Sequence, residues 1–319
     1  MGYAATWLTH PTSLHQLPPC ADALTALTPS TPALPAAIAW MTGALVLFTG
    51  MAIGARELSA DLSTIQLLAI RSLIGLIIIG VLLTRSGWAQ VVTPHLGLHA
   101  LRNLAQFGGQ FSWFYAIAAI PLATVFAIEF TVPIWTAICA AFLLGERITA
   151  RRVFAIACGL AGVLVILRPG EGLIHHAALV MLAGAMSFGM AFTLTKKLAT
   201  RDSMLCILFW MSAMQLPASL IPALWQWTPL ELKHLPWLLL IGCAGLAAHS
   251  CMVRALSLAD ATIVVTLDFL RLPLITLIGW WAYQEPADWH LAAGAALILA
   301  ANLVNVFEKA PEPKRGPAG

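Results

Sequence analysis

Ten long stretches of this chain are almost continuously apolar, at roughly residues 36–55, 62–83, 97–118, 122–144, 152–167, 177–195, 203–223, 236–256, 261–283 and 290–307. A helix rises about 1.5 Å per residue, so each stretch spans most or all of a hydrocarbon layer about 30 Å thick. Barrel strands would instead alternate polar and apolar residues over about ten positions. Composition closes the soluble alternative: 60% of the 319 residues are hydrophobic and 10% are charged, where water-soluble domains carry about 25% charged residues. The chain therefore reads as an all-α membrane protein with ten transmembrane helices.

The connecting segments set an orientation. With the N-terminus inside, the inner loops and tail hold Arg85, Arg147, Arg151, Arg152, Lys196, Lys197, Arg201, Lys309, Lys314 and Arg315, against Arg56, Arg168 and Lys233 outside. Cytoplasmic loops are enriched in Lys and Arg, so both termini are expected in the cytoplasm. A net charge of +3, scattered along the chain, gives no nucleic-acid footprint. Residues 1–35 hold six prolines and no Lys or Arg, unlike a signal or transit peptide, and are expected to form a disordered cytoplasmic arm. Residues 308–319 are expected to be a cytoplasmic tail. Cys20, Cys139, Cys158, Cys206, Cys243 and Cys251 fall mostly inside spans without paired ligand spacing, so no disulfide, metal or cofactor is expected.

Sliding the sequence against itself by 139 residues aligns its two halves. Gly50, Met51 and Ala52 meet Gly189, Met190 and Ala191; Trp88 meets Trp227; His95 and Leu96 meet His234 and Leu235; Phe130 meets Phe269; Glu146 meets Glu285. The halves, 36–168 and 176–307, hold five spans each, and an odd number forces the second copy to cross the bilayer upside down. Inverted repeats of this kind place a binding site near the midplane, between the copies.

An ionisable side chain inside a span costs about 2.5 to 3.5 kcal/mol on insertion scales, so each such residue requires a reason. Arg71, Glu129, Asp268 and Arg271 lie deep within their spans; Arg102 and Arg254 lie nearer the ends. The repeat superposes Glu129 on Asp268, which marks a central substrate site. Asp268 and Arg271 are three apart on one helical face. Glu129 needs a partner from another helix, with Arg102, Arg254 and Arg271 as candidates, or else stays protonated, and a carboxyl that changes protonation would couple transport to protons. Arg71 could meet Glu57 or helix-terminal carbonyls as well as a substrate. Asn103, Gln106, Gln110 and Trp113 share one face of the third span, which lines either a cavity or a helix contact. Gln110 corresponds to His249, a residue that would serve as a buried core histidine or as part of the site. The expected substrate-binding set is Asn103, Gln106, Gln110, Trp113, Glu129, His249, Asp268 and Arg271, with Arg71, Arg102 and Arg254 as charge partners. Pro133 and Pro273 should kink the spans that carry the acids.

Four stretches resemble the drug/metabolite transporter superfamily and its ten-helix EamA-type members: Ile70-Arg71-Ser72, Trp113 to Leu122, the Pro-bearing Phe130 to Trp135, and Leu144-Gly145-Glu146-Arg147. Gly159 to Gly170 closes the first half as such domains do, and in the second half Gln284-Glu285 stands for the Gly-Glu pair. The resemblance implies a bacterial inner-membrane secondary transporter working by alternating access, with export of an amino acid or amino-acid-derived compound as the first expectation. Import or exchange of an S-adenosylmethionine-like or riboflavin-like molecule is the alternative. An intramembrane enzyme is the remote rival, and the chain is read as no enzyme, because it has neither G-x-S-x-G nor H-E-x-x-H, and it has no Walker A sequence for ATP-driven pumping. Lipid-facing apolar helices also leave a homodimer open.

Overall fold

A computed structural model describes residues 33–145, 149–168, 175–258, 264, 267–286 and 288–306. Residues 1–32 of the expected N-terminal arm, the tail, and Glu146 and Arg147 lie outside the described residues, while residues 33–35, counted with the arm, begin the first helix. The described fold is entirely helical: α1 (Ala33–Leu58), α2 (Thr64–Ser86), α3 (Leu96–Ala119), α4 (Leu122–Glu129), α5 (Val132–Leu144), α6 (Ala150–Leu167), α7 (His176–Ala199), α8 (Met204–Trp225), α9 (Leu235–Leu258), α10 (Arg271–Tyr283) and α11 (Trp289–Val306). α4 and α5 share one span, so the helices make the ten crossings of two inverted five-helix repeats. Seven spans are both long and apolar enough to cross a bilayer. α3 is just as long but is not among them, because His99, Arg102, Asn103, Gln106 and Gln110 all occur within it and are all buried. A helix that polar is tolerated in a membrane only where other helices cover it.

Packing follows the repeat and runs across the halves. The densest helix pairs are α1 with α9, α3 with α7, α2 with α8, and α6 with α11. A shift of 139 residues converts α1 into α7 and α3 into α9, so the first two pairs exchange with one another, while the other two pair each helix with its own counterpart. This is the contact pattern of a pseudo-two-fold axis. It also means that neither five-helix half is a self-contained bundle.

Close approach at the crossings depends on missing side chains. On α6 and α11 a Cβ added to Gly162 would sit 2.6 Å from the carbonyl oxygen of Gly294, and one added to Gly294 would sit 2.6 Å from that of Gly162. α7 meets α5 where a Cβ on Gly189 would lie 2.8 Å from the backbone nitrogen of Thr136. Small residues let membrane helices gain contact area where apolar side chains facing lipid bring no advantage. The C-terminal caps obey the repeat too. Gly145 ends α5 at φ 69° and its counterpart Gln284 ends α10 at φ 54°. A left-handed residue with a Cβ costs about 1 to 2 kcal/mol, so the second half makes the same turn under strain.

Ties between helix ends sort cleanly by membrane face. On one face Asp61 accepts from Lys233 at 2.9 Å and meets His234 at 3.0 Å, and Gln66 donates to the carbonyl of Thr228 at 2.8 Å. Arg56, at the end of α1, meets Glu285 after α10 at 2.6 Å and donates to the carbonyl of Ile120 at 2.8 Å. Glu285 in turn accepts from the Leu122 N–H at 2.9 Å, capping the N-terminus of α4 with negative charge. On the other face, where Arg85, Arg152, Lys196 and Arg201 stand, Asp202 meets His99 at 3.0 Å and Arg102 donates to Thr195 at 2.9 Å. Every one of these ties joins ends that alternate crossing puts on the same side.

Two outcomes test this account. Gly162→Leu or Gly294→Leu should destabilise the protein by about 1 to 3 kcal/mol through overpacking, read as a lower melting temperature in detergent. Gly80→Leu, where an added Cβ meets nothing within 4 Å, should not lower it. The hydrogen bond from Lys233, with that from His234, holds the Asp61 carboxyl below its ordinary range. Because the folded value is depressed, this stabilisation is present above the ordinary aspartate value of about 3.9 and fades as pH falls through the folded value. Asp61→Asn should therefore melt lower than wild type at pH 6, and the two curves should converge as pH falls through the depressed folded value.

Candidate functional site

The fourth span is broken in its middle. α4 stops at Glu129, Phe130 and Thr131 form a turn, and α5 restarts at Val132 with Pro133 in its first turn. Proline lacks the N–H that would continue the ladder, and the turn's polar groups find other partners. The Phe130 carbonyl accepts from the Asn302 amide at 2.7 Å, and the Thr131 hydroxyl donates to the carbonyl of Ile128 at 2.7 Å. In the second half Phe269 and Leu270 form the matching turn before α10 starts at Arg271, with Pro273 in its first turn. The prolines interrupt the helical ladder where kinks were expected, with the backbone staying right-handed through Phe130 and Thr131, and each interruption lies beside a candidate acid.

Both acids converge on one cation. Arg271 Nη2 lies 3.4 Å from Glu129 Oε1 and 3.4 Å from Asp268 Oδ2. Trp113, on α3, donates its indole N–H to the other Glu129 oxygen at 2.7 Å. The guanidinium sits among three aromatic rings, 5.0 Å from the centroid of Phe48, 5.2 Å from Phe126 and 5.3 Å from Phe130. Such ring faces add electrostatic attraction while excluding water. Phe130 and its counterpart Phe269 meet edge to face at 5.2 Å, so the pseudo-two-fold axis passes close to this cluster.

All of these residues except Phe126 form part of the wall of a cavity of about 580 Å³, within the usual range of about 300 to 1,000 Å³ for small-molecule sites. Arg71, Gln106, Gln110, Trp113, Glu129, His249, Asp268 and Arg271 all line it. Four buried polar atoms on these side chains have no protein partner: Gln106 Oε1, Gln110 Oε1, Asp268 Oδ1 and Arg271 Nε. His249 Nδ1 is 2.7 Å from the carbonyl of Gly245 in its own helix. Gly245 also leaves space for Arg71, whose Nη2 would be 3.3 Å from an added Cβ.

Other expected site residues lie elsewhere. The polar stripe of α3 splits: Asn103 turns to α8, donating to the carbonyl of Trp210 at 3.0 Å, and is not part of the wall. Arg102 donates to Thr195 and Asn103 rather than to Glu129. Arg254 is exposed and off the wall, which matches a headgroup position. Glu57 accepts from the Tyr283 hydroxyl at 2.8 Å instead of meeting Arg71. Sequence reasoning missed Phe48, Phe188, Phe192, Thr136, Thr193, Arg152 and Lys196, all on the wall. Of these, Arg152 and Lys196 stand at the basic-face ends of α6 and α7. None of the Arg56, Glu285 or Leu122 tie lines the cavity, so it extends toward the basic face.

Arg271→Ala should cost about 3 to 5 kcal/mol, because it leaves two buried acids without their cation, and should appear as loss of monodisperse protein. Adding Glu129→Gln and Asp268→Asn to Arg271→Ala should restore much of the yield. If yield stays equally low in the triple variant, charge balance is not what Arg271 supplies.

The EamA-like transporter family matches this chain twice, over residues 35–168 and 175–307. The chain is 28% identical over 212 residues to a protein of Rickettsia prowazekii named as an S-adenosylmethionine uptake transporter, covering 66% of this chain and 72% of the relative. It is 30% identical over 231 residues to a riboflavin transporter of Brucella anthropi, covering 70% and 80%. It is also 28% identical over 251 residues to a pseudopaline exporter of Pseudomonas aeruginosa, covering 77% and 87%. A solved crystal structure aligns with a TM-score of 0.58 at 19% identity, covering 84% of this chain and 96% of the other, and so supports the fold alone.

Proposed function

The chain belongs to the EamA-like transporter family, matched in both halves, and from that premise we propose that it moves an amino-acid-derived metabolite carrying charges of both signs, by alternating access. The observation that carries this reading is the sharing of Arg271 by Glu129 and Asp268 at the wall of an aromatic-rich cavity. A substrate carboxylate entering there would compete with the two acids for Arg271, and a substrate cation would take the acid thereby released. The flat faces of Phe188, Phe192 and Trp113 would serve an apolar or aromatic part. S-adenosylmethionine, for which one relative is named, has an amino-acid group, a sulfonium cation and an adenine ring. Riboflavin has a ring system without the amino-acid charges, so the paired acids favour the amino-acid-derived class.

Excess Lys and Arg on the face toward which the cavity extends support a cytoplasmic assignment for that face and for both termini. The cavity then opens inward and the Arg56, Glu285 and Leu122 tie closes the outer side. Its relatives are named for both uptake and export; we assign export as this chain's working direction, with the gradient setting the flux, and proton exchange at Glu129 as the coupling step.

Counterflow in proteoliposomes tests the proposal, using labelled S-adenosylmethionine, a panel of labelled amino acids and riboflavin. Wild type should exchange at least one amino-acid-class compound. Glu129→Gln and Asp268→Asn should each lower the rate by about tenfold or more, the effect of losing a charged hydrogen bond worth about 1.5 to 3 kcal/mol. Exchange of riboflavin alone, or unchanged rates in both variants, would remove the proposed site.

A further inference from the structure

A second cluster lies away from the cavity, at the basic face. His95 and His99 are four residues apart where α3 begins, and Asp202 and Cys206 are four residues apart where α8 begins. His95 caps α3 just ahead of His99 in its first turn, Asp202 lies in the bend just ahead of α8 and Cys206 in that helix's first turn, and the fold sets the two pairs against each other. His99 Nε2 is 3.0 Å and His95 Nδ1 is 3.5 Å from the same Asp202 oxygen. The donor atoms of His99, Asp202 and Cys206 all lie within 4.8 Å of one another. His99 and Cys206 are fully buried, and the Asp202 side chain is 8% exposed.

We propose that His95, His99, Asp202 and Cys206 form a binding site for a zinc-class divalent cation. Two imidazoles, a carboxylate and a thiolate make a borderline-soft donor set suited to four-coordinate zinc, with ligand bonds of about 2.0 to 2.3 Å. Such bonds set neighbouring donors about 3.3 to 3.8 Å apart, so His99, Asp202 and Cys206 have to close by only about 1 Å, and His95, which already lies 3.5 Å from Asp202, would turn in as the fourth ligand. Charge supports the same reading. Among the described residues no Lys or Arg pairs with the buried Asp202, and the groups that face it are His95, His99 and Thr93. The repeat offers a comparison at the opposite face, where Asp61 meets His234, the counterpart of His95. There the carboxylate is 42% exposed and is neutralised by Lys233. At Asp202 a divalent cation would supply the positive charge that Lys233 supplies to Asp61.

Binding releases the Cys206 thiol proton to solvent as the thiolate coordinates, and the protons that His99 Nε2 and His95 Nδ1 now direct at Asp202 would shift to the other ring nitrogen or leave to solvent so that each ring nitrogen offers its lone pair. The thiol's present acceptor, the carbonyl of Val91 at 3.7 Å, keeps the Trp210 indole N–H at 3.0 Å, so no buried acceptor is stranded. The ion would fasten the start of α3 to the start of α8. This inference is independent of what the central cavity carries.

The test uses the full chain purified in detergent without a polyhistidine tag, stripped with chelator, dialysed against zinc and measured by elemental analysis. Wild type should retain roughly one zinc per chain and melt higher with zinc than without. His99→Gln combined with Cys206→Ser should bring bound zinc to background, while His175→Gln with His176→Gln, altering the exposed pair at the start of α7 on the opposite face, should leave it unchanged. Should the double variant fail to fold, cobalt substitution decides: wild type should show a thiolate-to-cobalt absorption band that Cys206→Ser alone removes. Zinc at background in wild type, unaltered retention in the double variant, or absence of the thiolate band would overturn the proposal.

Discussion

Three charged side chains meet in the middle of this bundle, and much of the architecture exists to make that tolerable. Two partly buried carboxylates and one buried guanidinium in the middle of a bundle are stable only together, since removing either sign leaves an uncompensated charge. Arg271 satisfies both acids by standing where the two broken spans approach. The breaks are part of the same solution. A continuous helix through Glu129 would carry its carboxylate around the helical face, whereas ending α4 there and restarting α5 two residues later presents the acid at a helix end. Asn302 and Thr131 satisfy carbonyls next to the interruption, and the Trp113 indole fixes the second carboxylate oxygen. α3 must then run past the same point, which accounts for its burial and its polar content.

The pairing of helices across the halves changes how motion in this fold has to be pictured. Two rigid five-helix bundles rocking against each other would need their densest contacts inside each bundle, and here those contacts join one bundle to the other. The α6 and α11 crossing, sealed by facing glycine backbones, is poorly suited to sliding. The broken spans are better suited, because a turn already interrupts their hydrogen bonding. Glu285 on the N-terminus of α4 at one face, with Arg152 and Lys196 on the cavity wall toward the other, is the arrangement that one state of the proposed alternating-access cycle would take.

Much of this was legible in the sequence, and the legible part has a common cause. The 139-residue offset paired Glu129 with Asp268, Phe130 with Phe269 and Gln110 with His249, and each of these six residues lies on the cavity wall. A two-fold axis guarantees such agreement, since whatever faces the axis in one half faces it in the other. Residues that break the symmetry were harder to place. Arg271 corresponds to Val132, so nothing in the repeat distinguished it from Arg102 or Arg254 as the partner of Glu129. Asn103 shares a helical face with Gln106 by spacing, yet one turn of the helix is enough to carry a side chain from the cavity to the α8 contact. Phe188, Phe192 and Lys196 come from a helix whose sequence shows no polar stripe, and their position depends on how closely Gly189 lets α7 approach α5. The four donors near Asp202 escaped for a similar reason: each pair is short-range in sequence, but more than a hundred residues separate the pairs.

The charge balance at Arg271 also limits what a transport cycle can do. With the cavity empty of substrate, one positive group serves two negative ones, so the cluster carries an excess negative charge held partly by Trp113. The rest of the wall adds the cations Arg71, Arg152 and Lys196. Under the proposed function a zwitterion would offer Arg271 a carboxylate and the acids a cation without any change of protonation, whereas an acid with no amino group would have to draw on those other cations or bring a proton. A neutral ring compound would leave the cluster undisturbed and have no electrostatic means of signalling its presence to the broken spans.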